Sequence, residues 1–197
     1  MSDLYERQRR YYHLRAAEYD ESSWESRTEW HAAEVARIVA VVSALPAART
    51  LDVACGTGFL SRHLRGELTL LDASADMLAI AAGRVPHVRI MQAEALPLPF
   101  ADASFERVFS SHFYDHLRPP ERKLFLAEAR RVGSELVLVQ QIGRPAHREG
   151  DEQRTLEDGT RHVIYKTYFT PDSLLAELGG GELLHEGRWV MVVRASL

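Results

Sequence analysis

Between residues 50 and 140, short apolar runs alternate with helical segments, and this alternation leaves few folds open. Five runs read as strands: Thr50–Ala54, Leu68–Asp72, Val88–Gln92, Phe105–Ser110 and Glu135–Gln140. Helical spacing separates most of them. A helix is expected to open at Ser61–Leu64. A second covers Ser74–Arg84, with Ser74 as N-cap and Asp76 in the first turn. A third covers Pro120–Val132 and puts Phe125, Ala129 and Val132 on one face. Strand–helix alternation implies a parallel sheet with helices on both sides.

The flanks complete the outline. From Trp30 the chain reads as a helix, with Val35, Ile38, Val39 and Val42 on one face, and Pro46 ends it. Near the end, Thr170-Pro171-Asp172 is a helix start: an N-cap, a proline at the first helical position, then an acid near the positive end of the dipole. Gly179-Gly180-Gly181 stops that helix. Two strands follow, Glu182–His185 and Trp189–Arg194, joined only by Glu186-Gly187-Arg188. So short a connection forces antiparallel pairing, because parallel strands need a crossover. The expected fold is α/β: a Rossmann-like three-layer sandwich with a mostly parallel seven-stranded sheet ending in an antiparallel hairpin. One domain over 1–197 is expected, with 1–45 as a helical lead-in or lid and 46–197 as the core.

The 197 residues, 46% hydrophobic and 26% charged, suit one globular domain. The net charge of −4 gives no electrostatic reason to expect a nucleic-acid partner. The basic clusters Arg7, Arg9, Arg10 and Arg130, Arg131 are short enough to be solvated helix faces. Cys55 is the single cysteine, so no intrachain disulfide forms, in keeping with a reducing compartment. No signal-like run occupies the first twenty residues, and no stretch reaches bilayer length. The expectation is a soluble cytoplasmic protein, monomer or homodimer, with a small-molecule substrate, no nucleic-acid partner and no membrane insertion.

The segment richest in chemistry is Leu51-Asp52-Val53-Ala54-Cys55-Gly56-Thr57-Gly58-Phe59-Leu60, a strand entering a Gly-x-Gly turn. Gly56 and Gly58 permit positive φ and close approach of backbone to a ligand. Asp72 ends the next strand 20 positions after Asp52, where a carboxylate accepts bonds from ribose hydroxyls. A dinucleotide site wants a third glycine, and that position is Ser61. Asp52 would repel a pyrophosphate but suits the ammonium of a methionine moiety. Both features favour S-adenosylmethionine over a nicotinamide cofactor.

On these residues the chain resembles the class I S-adenosylmethionine-dependent methyltransferases, of the small bacterial ubiquinone/menaquinone-methyltransferase-like type. Leu51–Gly58 looks like the family's first motif. Leu71-Asp72-Ala73-Ser74-Ala75-Asp76-Met77-Leu78 looks like its ribose-binding turn. Ala93–Phe100 followed by Asp102–Glu106 looks like the passage from the adenine pocket into the fourth strand. Tyr19-Asp20 and Tyr168-Phe169-Thr170-Pro171 also recur in similar proteins. The resemblance implies methyl transfer from S-adenosylmethionine to a small molecule, leaving S-adenosylhomocysteine. It implies cofactor contacts from Asp52, Ala54, Gly56, Gly58, Asp72, Ala73, Met77, Gln92, Ala93, Glu94 and Ser110. Gln92 departs from the family's Asp. A non-catalytic S-adenosylmethionine-binding module and a nicotinamide-dependent oxidoreductase remain the alternatives.

Just beyond the fourth strand stand His112 and His116, the candidates for a general base. Their i, i+4 spacing lacks a third ligand, so no metal site is expected. Tyr11, Tyr12, Tyr19 and Trp24 either close over the substrate or pack against the domain edge. Tyr165, Lys166 and Tyr168 either line the acceptor pocket or form an edge strand. A polar–Pro–Pro–aromatic tetrapeptide, needed for methylation of nucleic-acid amino groups, is absent from Ser110–Phe113.

Overall fold

The computed structural model describes residues 3–16, 19, 20, 24, 28–143, 149–156 and 158–197; the side chains of residues 3–5 and 7–9, including Arg7 and Arg9, lie outside that description. Helices α1 (Asp3–Leu14) and α2 (Glu29–Ala44) precede the sheet. The central passage runs β1 (Thr50–Val53), β2 (Leu68–Asp72), α3 (Ala75–Arg84), β3 (Arg89–Gln92), β4 (Arg107–Ser111), α4 (Pro119–Val132) and β5 (Glu135–Gln141). The chain closes with β6 (Gly150–Thr155), β7 (Arg161–Lys166), α5 (Pro171–Leu178), β8 (Glu182–Glu186) and β9 (Val190–Ser196).

Seven strands form one sheet in the order β3-β2-β1-β4-β5-β9-β8. The first five are parallel, and β9 runs antiparallel to both β5 and β8. The apolar run Val190–Val193 explains why β9 is interior: each of the four is fully buried. A strand covered on both faces reads as continuous rather than alternating apolarity. Along β5, Leu136 and Leu138 face the layer containing α4 and α5, while Val137 and Val139 face α2. Complete burial of each such side chain contributes about 1.5–3 kcal/mol.

The helix caps follow the sequence signals. Ser74 accepts from the Met77 N–H, and Thr170 accepts from the Ser173 N–H. Gly179 ends α5 in the left-handed region at φ +83. Two expectations need correction. The helix foreseen at Ser61 is only a single 3-10 turn, Ser61–His63. Gly66 turns the chain back at φ +104 against Ala48, where a Cβ would stand 2.3 Å from the carbonyl oxygen, so β2 begins before a helix can extend. Secondly, β6 and β7 pair in a separate antiparallel hairpin that was not foreseen. The β6 sequence Gly-Asp-Glu-Gln-Arg-Thr alternates half-buried and exposed positions without apolar residues, so its period carries no hydrophobic signal.

The strand order reverses between β1 and β4, which lie side by side. In such sheets ligands bind beyond the carboxyl ends of the strands at this switch point. The glycine turn after β1, Asp72 at the end of β2 and His112 after β4 all fall there.

Candidate functional site

A cavity opens over this edge, with Gly56, Asp72, Met77 and Glu94 among its walls. The turn after β1 is tightly built. Ala54, Gly56 and Gly58 all take positive φ, at +57, +55 and +71. The Gly56 N–H donates to Asp72 Oδ2 at 2.8 Å, and the Ser74 N–H donates to Asp72 Oδ1 at 2.9 Å. Asp72 therefore ties the glycine turn to the turn after β2. Burial raises its carboxyl above the usual range, with the Ser74 and Gly56 N–H groups pulling the other way.

The two glycines differ in purpose. A Cβ on Gly56 would meet only Met77 Sδ, at 4.0 Å, so this position faces open cavity. A Cβ on Gly58 would stand 3.2 Å from Ala81 Cβ and Val85 Cγ2. Gly58 lets α3 pack against the turn, which is the helix-packing role a glycine has at such loops.

Asp52 lies beneath the turn in the wall of an adjoining compartment, together with Gly56, Trp24 and Ser111. Its Oδ2 accepts from the Ser61 hydroxyl at 2.6 Å, so the residue at the third-glycine position holds this acid. Its Oδ1 is buried without a hydrogen-bond partner, and burial pushes the carboxyl up to about 7. The Ser111 hydroxyl is likewise buried and unpartnered. An enclosed carboxylate oxygen and a hydroxyl in one compartment suit an amino-acid moiety with an ammonium group.

Several expected contacts move by one or two residues. Ser110 is fully buried and donates to the Val53 carbonyl, so Ser111 takes its place in the wall. The exposed Gln92 donates its amide N–H to the Ala73 carbonyl. The cavity wall beyond β3 is Glu94 and Ala95 rather than Gln92 and Ala93. Strand alternation accounts for the Ser110 displacement, because neighbouring side chains point to opposite faces. Ala54, Ala73, Met77 and Glu94 stand in the wall as expected.

The lead-in closes one side. Asp20 Oδ1 accepts from the Thr57 hydroxyl at 2.7 Å, while Asp20 Oδ2 pairs with Arg84 at 2.6 Å. Arg84 also donates to the Thr57 carbonyl, so the segment is tied to the glycine turn from both sides. Trp24 stacks on Phe59 with ring centroids 5.0 Å apart. Tyr12 and Tyr19 line the cavity, while Tyr11 is buried against Leu156 and Ile164 of the hairpin region and lines only the outer cavity described below.

His112 and His116 form the opposite wall. His112 sits at φ +52, donates its backbone N–H to the Val139 carbonyl, and stacks on Trp189 at 6.0 Å. His116 has both ring nitrogens engaged. Its Nδ1 faces the Tyr165 carbonyl at 2.8 Å, and a carbonyl only accepts, so Nδ1 carries the proton. Nε2 is then a lone-pair site, and the Tyr12 hydroxyl donates to it at 2.6 Å. Burial lowers both imidazoles to about 4. They are neutral at physiological pH. Burial also raises the Tyr12 phenol, which stays protonated. Behind them, burial alone would raise Asp115, but Lys166, 2.6 Å away, and His116 hold its carboxyl below the usual range.

A second cavity lies beyond these groups. Tyr12, Tyr19, His112 and His116 line both spaces, and the outer one adds residues from β6, β7 and Trp189. Lys166 belongs to its wall. Tyr165 lends its carbonyl to His116, and Tyr168 lies outside β7. Sequence reasoning missed Arg15, Arg154 and Trp189 here, because nothing local marks residues that meet only through the hairpin. Asp20 was legible as part of a recurring pair, though its bonds to Thr57 and Arg84 were not.

Comparison with known proteins agrees with this geometry. Residues 50–135 match a family model described as a methyltransferase domain. The demethylmenaquinone methyltransferase of Renibacterium salmoninarum is 36% identical over 52% of this chain and 45% of its own length. The tRNA U34 carboxymethyltransferase of Pectobacterium carotovorum subsp. carotovorum is 28% identical over 77% of this chain and 47% of its own length. The chain thus spans less than half the length of these curated relatives. A solved structure described as the DhpI-SAM-HEP complex covers 99% of both chains at 26% identity and a TM-score of 0.78. No helix among the described residues is long and apolar enough to cross a membrane.

Proposed function

We propose that the chain is a class I S-adenosylmethionine-dependent methyltransferase and that it transfers the cofactor's methyl group to a small molecule seated in the outer cavity. The observation that carries this reading is that the two cavities adjoin, with Tyr12, Tyr19, His112 and His116 lining both. The neighbouring DhpI structure, described with both SAM and HEP, supports a two-ligand arrangement on this fold.

The residues present fit the cofactor. Asp72, at the end of β2, would receive the ribose hydroxyls. The unpartnered Asp52 oxygen and the Ser111 hydroxyl would receive the ammonium and the carboxylate of the methionine moiety. Ala54, Gly56, Ala73, Met77, Glu94 and Ala95 give a close-fitting wall. S-adenosylmethionine supplies an electrophilic methyl carbon on a sulfonium, with the thioether S-adenosylhomocysteine as leaving group. The protein's task is then alignment, exclusion of water and, for a protic acceptor, removal of one proton.

His116 is the better-built proton acceptor. Its tautomer is fixed by Tyr165, and its lone pair points to the Tyr12 hydroxyl. An acceptor hydroxyl that displaces Tyr12 meets the same lone pair and hands its proton to Nε2. His112, stacked on Trp189 between the cavities, orients the acceptor. Tyr19 and Trp24, held over the glycine turn by the Asp20 anchor, act as the lid.

The test has two stages. Titration with S-adenosylmethionine and NAD should give binding of the first only. Incubation with methyl-labelled cofactor and a panel of phenols, carboxylates, amines and quinones should label at least one small acceptor. Binding without transfer to any of them would favour a non-catalytic binding module.

A further inference from the structure

The outer cavity carries a distinctive charge pattern. Arg15 after α1, Arg154 on β6 and Lys166 on β7 all line it, together with His31, His112 and His116. Among the described residues no aspartate or glutamate lines it, although the chain as a whole carries net charge −4. Two of these cations pair with acids outside the lining. Asp115, fully buried, holds Lys166 at 2.6 Å, and Glu152 holds Arg154 at 2.5 Å. Arg15 lies over the Tyr11 and Tyr19 rings, at 5.7 and 5.0 Å. The indole N–H of Trp189, another wall residue, is enclosed and has no hydrogen-bond partner.

Such a wall combines hydrogen-bond donors and positive charge with aromatic faces. Guanidinium pairs recognise planar or tetrahedral oxyanions by paired N–H groups.

We propose that this cavity binds its methyl acceptor through an oxyanion group, a carboxylate or a phosphoryl group, held by Arg15 and Arg154 with Lys166 beside them. The proposal rests on the reading of the adjoining cavity as the cofactor site. It deepens that reading by assigning the acceptor's chemical class. The anion seats on residues from three separate segments, the turn after α1, β6 and β7, so it also ties the lead-in to the hairpin.

The experiment uses the full chain preloaded with S-adenosylhomocysteine, titrated calorimetrically at low salt with benzoate, phenylphosphonate and benzamide. At least one anion should bind about tenfold or more tighter than the neutral amide, since hydrogen bonds to charged groups contribute enough for that ratio. Whichever anion binds tighter identifies the source, carboxylate or phosphoryl. Arg154→Gln and Arg15→Gln should each weaken the anion about five- to tenfold while S-adenosylhomocysteine binds as in the parent, which also reports a folded variant. Equal binding of benzamide would overturn the proposal. So would anion affinity unchanged in both variants, or no anion binding by a protein that does bind S-adenosylhomocysteine. Failure of S-adenosylhomocysteine itself to bind is a separate result, and it would overturn the cofactor reading on which the proposal stands.

Discussion

The two cavities are built in opposite ways. The cofactor half comes mostly from one continuous stretch, Asp52 to His116, in which each strand ends at the same sheet edge. Its key contacts are short in sequence: Gly56 to Asp72, Ser61 to Asp52, Met77 to Ser74. The acceptor half comes from segments far apart. Tyr12 reaches His116 across 104 positions, and His116 reaches Tyr165 across 49. The first half is a property of a βαβ passage. The second exists only once α1 and the β6–β7 hairpin have docked. On the proposed reading, the difference teaches that cofactor identity is carried locally, while acceptor choice is carried by packing.

The sharpest way to break this comparison is Gly56→Val. A β-branched residue at φ +55 costs about 1–2 kcal/mol in backbone strain, and its side chain enters the cofactor cavity. Calorimetry should find cofactor binding abolished, with circular dichroism showing a retained fold. Normal binding would remove the glycine turn from the site. Gly58→Ala should behave differently, destabilising the packing of α3 on the turn while leaving residual binding.

The next effect is kinetic. His116→Ala should slow turnover about 10²–10⁴-fold with cofactor affinity unchanged. His112→Ala should raise KM more than it lowers kcat. Both imidazoles are pushed down to about 4, so protonation sets in only as pH falls toward that value. The profile of kcat/KM at saturating cofactor should therefore be flat from about pH 6 upward and fall below pH 5. A rise centred near 6.5 that vanishes in His116→Ala would mean that the imidazole is not shielded as the structure places it.

Asp72→Ala removes the tie between two turns as well as the ribose acceptor. Each bond to a charged acceptor contributes about 1.5–3 kcal/mol, so a loss of one to two orders of magnitude in cofactor affinity is expected. If acceptor KM changed more than cofactor affinity, the division between the two halves would fail.

The smallest effect concerns Asp52. Burial raises its carboxyl to about 7, so below that pH the free protein holds it protonated. A bound ammonium favours the ionised form. Binding therefore releases a proton, and affinity should fall by up to about tenfold for each pH unit below 7. Asp52→Asn should flatten that dependence between pH 5.5 and 7. The same shift acts on stability in the opposite direction. A folded pKa above the unfolded one means that the unligated fold loses stability as pH rises through about 4 to 7.

The glycine turn, the acid ending β2, the caps at Ser74 and Thr170, and the antiparallel strands at the end were legible because each is a local device. A tight turn needs positive φ, a cap needs a side-chain oxygen, and a three-residue connection forbids a crossover. At the strand ends the cavity wall lies one or two positions from the residues expected, and the slip from Ser110 to Ser111 is the alternation of a strand. By itself, then, the sequence determined the sheet, its switch point and the chemistry of the cofactor turn, since these follow from periodicity and backbone sterics over spans of about twenty residues. Only the tertiary structure decided the rest. The polar β6 strand shows its role only when β7 pairs with it, and Tyr165 fixes the His116 tautomer only through its backbone carbonyl, a group that every residue carries and no sequence pattern marks. The cations Arg15, Arg154 and Lys166 share one wall because three distant segments pack together, and long-range packing has no period to read.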